Sequence, residues 1–186
     1  MDKNKRYEVR IAGTGGQGVI LAAMILGKAA AVYSKDMFVV QTQSYGPEAR
    51  GGASKAEVVF DKTEIDYPKV IAPNLQIILA QQACDVYIGD SAQNATIILD
   101  DFYIKNPPKL NASIYLLPIV KTAREELKRE VVVNMISLGA AAKVLEQQKL
   151  LTIESIKQSI QTLVPRGTED FNIKAFNLGY ELMSKQ

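Results

Sequence analysis

The 186-residue sequence contains no histidine and only one cysteine, Cys84. Histidine-based proton transfer, Ser-His-Asp catalysis and Cys-His catalysis are therefore excluded, and ordinary zinc sites lose their usual ligands. Iron–sulfur clusters are excluded too, because they need several thiolates from one neighbourhood. We predict no metal site in this chain, and the electrons of any redox reaction must travel through another chain.

The sequence also has no large excess of charge of one sign. Lys and Arg number 22 against 20 Asp and Glu, which gives a formal net charge of +2. This balance gives no electrostatic reason to expect nucleic acid as a partner. No segment reaches the roughly 18 uninterrupted apolar residues that a membrane span requires. We therefore expect a soluble, cytoplasmic protein with neither a nucleic acid nor a membrane as its partner.

Apolar residues are plentiful, at 47% of the chain, and we expect one domain over residues 1–186 with a full core. Hydrophobic periodicity predicts strands over residues 7–12, 37–40, 54–60, 75–80, 95–99 and 113–119, and helices over residues 17–33, 83–91, 122–147, 152–163 and 168–184. The helix over residues 122–147 begins charged and becomes nearly all apolar, so we expect it to be buried on more than one side. Cys84 is predicted to be a small apolar residue at the start of its helix.

Strands that alternate with helices are typical of α/β proteins, in which helices cover a sheet built largely from parallel strands. The sequence therefore predicts an α/β fold, a three-layer Rossmann-like domain with a mostly parallel sheet and helices on both faces.

A glycine-rich turn joins the first strand to the first helix. It consists of Gly13, Thr14, Gly15, Gly16, Gln17 and Gly18. In this spacing, the first glycine permits a tight turn, the second lets an anion approach the backbone, and the last allows the helix to pack closely on the strand. The first amides of the helix are unpaired and its dipole favours negative charge, so this segment is a candidate phosphate site.

Two other interpretations of this turn remain open. A dinucleotide-binding fold normally places an Asp or Glu at the end of the second strand to hold the ribose hydroxyls. The second strand here ends in Gln41, Thr42, Gln43 and Ser44, which include no carboxylate, so an NAD site is disfavoured. The turn could equally be a structural βα junction without any ligand.

A second group of polar residues follows the second strand, at the sheet edge where open α/β sheets bind ligands. Its candidate ligand-binding residues are Gln43, Ser44, Arg50, Ser54 and Lys55. Arg50 could clamp a phosphate or carboxylate with two parallel hydrogen bonds, Lys55 could add a point charge, and the serines could orient the ligand. The alternative is a solvated surface turn.

Three segments together resemble a known family. Residues 13–18, residues 41–55 and the sequence Glu64-Ile65-Asp66-Tyr67-Pro68 are similar to the gamma subunit of 2-oxoacid:acceptor (ferredoxin) oxidoreductases. The similarity covers nearly the whole chain and is sharpest from Val9 to Val70. Residues 43–52, followed by Ser54 and Lys55, look most like the 2-oxoglutarate branch of that family.

The resemblance implies a multi-subunit enzyme that oxidatively decarboxylates a 2-oxoacid on thiamine diphosphate, transfers the acyl group to coenzyme A and passes electrons to ferredoxin or a similar acceptor. Alpha and beta chains would supply thiamine diphosphate with its magnesium ion, and the beta chain or a delta chain would supply the iron–sulfur clusters. The isolated chain would be inactive. By analogy with the equivalent domain of single-chain pyruvate enzymes, the glycine turn would receive a coenzyme A phosphate.

Two functions from other classes stay open at this point. The chain could be an interaction subunit that binds no ligand and only supports its partners, or a reductase that binds a nicotinamide or flavin nucleotide. Two further residues are of interest. Asn134 lies alone among apolar residues and most simply satisfies a buried backbone group. Tyr67, beside Pro68, is a candidate contact for a partner chain.

Overall fold

The computed structural model describes residues 6–34, 37–44 and 52–186. Its strands are β1 (Tyr7–Thr14), β2 (Phe38–Ser44), β3 (Ala53–Asp61), β4 (Leu75–Ile78), β5 (Thr96–Asp100) and β6 (Ser113–Leu117). Its α-helices are α1 (Val19–Tyr33), α2 (Gln81–Tyr87), α3 (Ile119–Glu125), α4 (Val133–Gln147), α5 (Ile153–Leu163) and α6 (Glu169–Ser184). Short 3₁₀ helices span Ile88–Asp90 and Glu130–Val132.

The strands form one mixed sheet in the order β2-β3-β1-β4-β5-β6. The pairs β1–β4, β4–β5 and β5–β6 are parallel, whereas β3 runs antiparallel to both β1 and β2. Because residues 45–52 are too few for a parallel crossover, β3 must return antiparallel beside β2. The predicted α/β class with a mostly parallel sheet and helices on both faces is confirmed, with an antiparallel strand inside it.

The two faces of the sheet are covered unequally. Helices α1, α4, α5 and α6 contribute to a large apolar core on one face, while α2 and the 3₁₀ helix Ile88–Asp90 cover the other face over a smaller core. Cys84 is fully buried in that smaller core. Burial raises the pKa of its thiol, with a further contribution from Asp85, so Cys84 is a small apolar packing residue as predicted.

The predicted continuous helix over residues 122–147 is wrong. The chain instead forms α3, a turn, the 3₁₀ helix Glu130–Val132 and then α4. Lys128 adopts a left-handed φ of 55° just beyond α3, and the N–H of Arg129 donates to the carbonyl of Ala123 at 3.1 Å, so the chain folds back over the last turn and the helix stops. Such a stop usually uses glycine, so a lysine at this position left no signal in the sequence.

Candidate functional site

The glycine turn, residues 13–18, leads from β1 into α1. Gly16 and Gly18 have left-handed φ values of 91° and 71°, which L side chains rarely adopt. A Cβ on Gly13 would overlap the side-chain oxygen of Gln17, whereas a Cβ on Gly15 would meet no atom within 4 Å. Gly15 therefore faces open space, and the other glycines are required by the backbone or by its neighbours.

The side chain of Gln17 holds this turn in place. Its Oε1 accepts a hydrogen bond from the N–H of Thr14 at 2.8 Å, and its Nε2 donates to the carbonyl of Leu79 at 2.9 Å, just after β4. One amide group thus bridges the turn to the neighbouring parallel strand. The turn is fixed before any ligand arrives.

Asn134, near the start of α4, supports the turn from the other side. Its Nδ2 donates to the carbonyl of Gly18 at 3.3 Å, and its Oδ1 accepts from the N–H of Met135 at 2.9 Å. A Cβ on Gly18 would overlap the Asn134 amide, so the last glycine is needed for this approach. The interpretation of Asn134 as a residue that satisfies a backbone carbonyl is confirmed.

A cavity of about 570 Å³ opens beside the glycine turn. It is lined by the turn, the start of α2, the segment after β5 and the segment before α4: Thr14, Gly15, Gly16, Gln17, Ala80, Gln81, Tyr103, Glu130, Val131 and Val133. Helix α1 has no side-chain hydrogen bond at its N-cap and no acidic residue in its first turn. The first amides of α1 therefore have no side-chain cap, and the positive end of the helix lies directly after the turn that lines the cavity.

The lining of the cavity also includes a wall of other segments, formed by Tyr103 and Glu130, with a carboxylate that the sequence analysis did not single out. Glu130 accepts hydrogen bonds from the hydroxyl of Tyr103 and from Nε of Arg124, each at 2.8 Å, and it forms an ion pair with the Arg124 guanidinium. The hydrogen bond from Arg124, and to a smaller extent the one from Tyr103, hold the pKa of Glu130 below its usual value. The bond to Glu130 raises the pKa of Tyr103. At neutral pH this wall is an ionised carboxylate beside a protonated phenol.

No periodicity or motif marked Glu130, because it lies in a charged stretch that the sequence analysis assigned to a continuous helix. The chain stops after α3 and turns before α4, and Glu130 in this segment lines the same cavity as the glycine turn. The turn chemistry around Lys128 is therefore what places this carboxylate.

Asp100, the last residue of β5, positions this wall. Its Oδ1 accepts from the N–H groups of Phe102 and Tyr103 at 3.1 and 3.0 Å, and its Oδ2 accepts from the N–H of Val120 at 2.8 Å. The carboxyl group is fully buried, which raises its pKa, although the three amide bonds oppose that shift. The Asp100 side chain thus fixes both the turn that carries Tyr103 and the first residues of α3. Helix α3 carries Arg124 near its other end.

We expect Asp100→Asn to lower the free energy of unfolding by about 2 kcal/mol. Both carboxylate oxygens accept hydrogen bonds from backbone N–H groups, so an NH₂ group in place of either oxygen leaves at least one buried N–H without an acceptor. Urea unfolding followed by far-ultraviolet circular dichroism would measure the change. Asp101→Asn is the control, since that neighbouring side chain is exposed. Equal midpoints for the two variants would show that Asp100 does not organise this region.

The predicted second group of residues is only partly brought to the glycine turn. Ser54 pairs with Gly13 across β3 and β1, and its hydroxyl donates to the Gly13 carbonyl at 3.4 Å. Gln43 and Ser44 end β2 at the same edge of the sheet but do not line the cavity. Arg50 lies outside the described residues. Their part in ligand binding stays a prediction.

Lys55 takes part in a different arrangement. Its Nζ donates to Oε1 of Glu57 at 2.9 Å and lies 5.4 Å from the centre of the Tyr87 ring. The same Glu57 oxygen accepts from Nε of Arg10 at 2.7 Å, and Arg10 also bonds Asp90 at 2.7 Å. These charges lie on the sheet face that α2 covers. Lys55 therefore belongs to an ion-pair network that the sequence analysis did not identify.

The segment that contains Tyr67 is tied to β1. Arg6 donates from Nη1 to the carbonyl of Tyr67 and from Nη2 to that of Lys69, each at 2.6 Å, and its Nε bonds Glu8 at 2.6 Å. Glu8 in turn accepts from the N–H of Ile71 at 2.8 Å. The Tyr67 side chain is half exposed on this anchored segment. A partner contact there stays a prediction.

Within the described ranges, no helix combines the length and apolar character that a bilayer crossing needs, and no three acidic or cysteine side chains gather as metal ligands.

The fold and the cavity define a Rossmann-like α/β domain with its candidate ligand site at the carboxyl ends of the central strands. The sequence model of one family, described as pyruvate ferredoxin/flavodoxin oxidoreductase, matches residues 8–182. The chain belongs to that family.

Comparison with individual relatives shows which members of the family this chain is similar to. The chain is 44% identical over 179 residues to the 2-oxoglutarate synthase subunit KorC of Methanocaldococcus jannaschii, with 95% of this chain and 94% of the relative covered. The crystal structure of the keto/oxoacid ferredoxin oxidoreductase gamma subunit from Geobacter sulfurreducens PCA matches with a TM-score of 0.87 and 34% identity, covering 97% of this chain and 98% of that one. The resemblance to the gamma subunit is confirmed, and the homologues include subunits of 2-oxoglutarate synthase.

The fold is also shared with a longer enzyme chain. The 2-oxoglutarate:ferredoxin oxidoreductase of Magnetococcus marinus, with 2-oxoglutarate, coenzyme A and succinyl-CoA bound, matches with a TM-score of 0.84 and 19% identity. The match covers 99% of this chain and 32% of that chain. The fold of this chain thus also occurs as part of a longer polypeptide.

Proposed function

We propose that this chain is the gamma-type subunit of a 2-oxoglutarate:ferredoxin oxidoreductase and that its cavity receives a phosphate of coenzyme A. The observation that carries the proposal is the 570 Å³ cavity lined by residues 14–17 of the glycine turn, which leads into the uncapped α1. Its volume lies within the range of about 300–1,000 Å³ that is usual for small-molecule sites. We choose coenzyme A as the proposed ligand because the Magnetococcus marinus enzyme, which contains the same fold, binds it.

In this proposal the chain binds and orients rather than reacts. The amides of Gly15, Gly16 and the first turn of α1 would donate to phosphate oxygens, and the Gln17 side chain would keep the turn in shape. Thiamine diphosphate with its magnesium ion and the iron–sulfur clusters would belong to alpha, beta and delta partner chains, which would pass electrons to ferredoxin. The absence of histidine and the burial of the single cysteine agree with that division of labour.

Gly15→Val tests the phosphate role directly. A side chain at this position meets no atom and needs no left-handed φ, so the fold tolerates it while the valine projects into the cavity. We expect the affinity of the assembled enzyme for coenzyme A to fall at least about tenfold, since direct amide–phosphate contact is blocked. Isothermal titration of the assembled enzyme with coenzyme A measures it.

Gly89→Val is the matched control. Gly89 also has free space around a Cβ and a permitted φ, but it lies in the 3₁₀ helix Ile88–Asp90, away from the cavity. Gly16→Val should weaken binding as well, with an added cost from its φ of 91°. Unchanged coenzyme A affinity in Gly15→Val, with assembly intact, would refute the phosphate role.

The second candidate function is that of an interaction subunit without a ligand. The hydrogen bonds of Gln17 and Asn134 favour it, because they show that the turn already serves the packing of β1, β4, α1 and α4. If Gly15→Val prevents the chain from joining its partners while Gly89→Val does not, the turn is an interface rather than a phosphate site.

A further inference from the structure

We propose that Glu130, supported by Tyr103 and Arg124, forms the second half of the ligand site and accepts hydrogen bonds from hydroxyl, amine or amide groups that the ligand carries beyond its phosphate. This inference rests on the proposed function. It adds a specific recognition element to the part of the cavity lining that Tyr103 and Glu130 form.

The two walls of the cavity have opposite hydrogen-bonding character. The glycine turn and the start of α1 offer backbone N–H donors. On the second wall, formed by Tyr103 and Glu130, Glu130 is the one charged side chain among the described lining residues. A ligand that fits both walls must be anionic at one end and rich in hydrogen-bond donors at the other.

The second wall presents acceptors rather than donors. The Tyr103 proton is committed to Oε1 of Glu130 at 2.8 Å, and Arg124 approaches Oε2 and the Tyr103 oxygen at 2.8 and 3.4 Å. A carboxylate has about four lone-pair sites, so acceptor capacity remains for a ligand. The bonds from Arg124 and Tyr103 lower the pKa of Glu130, which keeps it ionised at neutral pH.

The wall is also fixed in position. Arg124 lies 4.5 Å from the centre of the Phe102 ring, and Asp100 holds the turn that carries Phe102 and Tyr103. Dinucleotide-binding folds use a carboxylate at the end of the second strand for ribose hydroxyls. Here that strand ends in Gln43 and Ser44, and a carboxylate from the segment before α4 borders the cavity instead.

Coenzyme A could supply the donors from either of two parts, the hydroxyl and amides of its pantetheine arm or the amine and hydroxyl of its adenosine. Titration of the assembled enzyme with coenzyme A, 4′-phosphopantetheine, adenosine 3′,5′-bisphosphate and inorganic pyrophosphate separates them. Pyrophosphate supplies the charge without any hydroxyl, amine or amide. The probes are compared in the unchanged enzyme, in Glu130→Gln and in the control Glu125→Gln, which removes an exposed charge from α3 outside the cavity.

We expect Glu130→Gln to weaken coenzyme A binding about tenfold, because a charge-assisted acceptor is lost. If 4′-phosphopantetheine also binds more weakly to Glu130→Gln, the donor lies in the pantetheine arm. If adenosine 3′,5′-bisphosphate does, the donor lies in the adenosine. Pyrophosphate binding should stay unchanged or tighten, because a negative charge leaves the cavity. Glu125→Gln should change neither.

The proposal is overturned if Glu130→Gln leaves coenzyme A binding unchanged or tightens it. It is also overturned if coenzyme A and pyrophosphate weaken equally, since Glu130 would then only support the shape of the site. An unchanged enzyme that binds neither coenzyme A nor pyrophosphate would remove the proposed function and this inference together.

Discussion

Replacing Gly179 with alanine is expected to lower the free energy of unfolding by about 3 kcal/mol, because the new methyl group overlaps backbone atoms. Gly179 lies on α6 where that helix crosses α4, and a Cβ there would overlap the carbonyl oxygen of Ile136 and lie 2.6 Å from its carbonyl carbon. Backbone atoms cannot rotate away, so the helices must separate. For a domain stabilised by about 5–15 kcal/mol, this is a large share.

The contact is reciprocal. A Cβ on Gly139 of α4 would overlap the carbonyl oxygen of Phe176 and lie 2.8 Å from the nitrogen of Tyr180, so Gly139→Ala should behave in the same way. Each helix therefore needs a residue without a side chain at the crossing. The separation of α4 and α6 is set by these two glycines.

Gly27→Ala is the matched control for Gly179→Ala. Gly27 is also buried and helical, on α1, but a Cβ there would meet only the Cβ of Gln41, at an ordinary 3.6 Å. Alanine should stabilise the protein at this position by about 0.5–1 kcal/mol through lower backbone entropy in the unfolded chain. Urea unfolding by circular dichroism compares the variants, and equal midpoints for Gly27→Ala and Gly179→Ala would contradict the close crossing.

Arg10→Met is expected to cost about 3 kcal/mol of unfolding free energy, because it leaves a buried carboxylate without its main partner. The Arg10 and Glu57 side chains are only 2% and 8% exposed, and they are joined at 2.7 Å. Methionine can occupy much of the arginine's space, so the loss comes mainly from charge. Lys55, at 2.9 Å from Glu57, would remain as the partner.

Two controls separate charge from packing in this prediction. Arg124→Met breaks an ion pair whose side chains are 43% and 41% exposed, and it should shift the unfolding midpoint much less than Arg10→Met does. In the double variant Arg10→Met/Glu57→Leu, the buried carboxylate is removed together with its partner, and much of the lost stability should return. Lys55 loses its bond to Glu57 there, but its side chain is 23% exposed and it keeps its contact with the Tyr87 ring. The Arg10 guanidinium carbon also lies 5.5 Å from the centre of the Tyr87 ring. A double variant as unstable as Arg10→Met would show that this packing, rather than the ion pair with Glu57, is what matters.

Some features of the candidate site could be predicted from the sequence, and others could not. The spacing of the glycines predicted the turn, the helix that follows it and the strand before it, because those preferences act within a few residues. Gln17 lay inside that motif, yet its bond to Leu79 depends on β4 lying beside β1. Glu130 gave no local signal, since its position depends on the stop at Lys128 and on the turn that Asp100 holds.

The sequence by itself determined the α/β class, the glycine turn and the family, because hydrophobic periodicity and short motifs depend only on residues that are close together in the chain. Tertiary structure alone decided which acidic residue lines the cavity beside the glycine turn, which carboxylate Lys55 binds, and why Gly139 and Gly179 must be glycine. Those features join residues far apart in the chain, such as Gly18 with Asn134 and Arg10 with Glu57. Such pairs form only when packing brings distant segments within hydrogen-bonding distance.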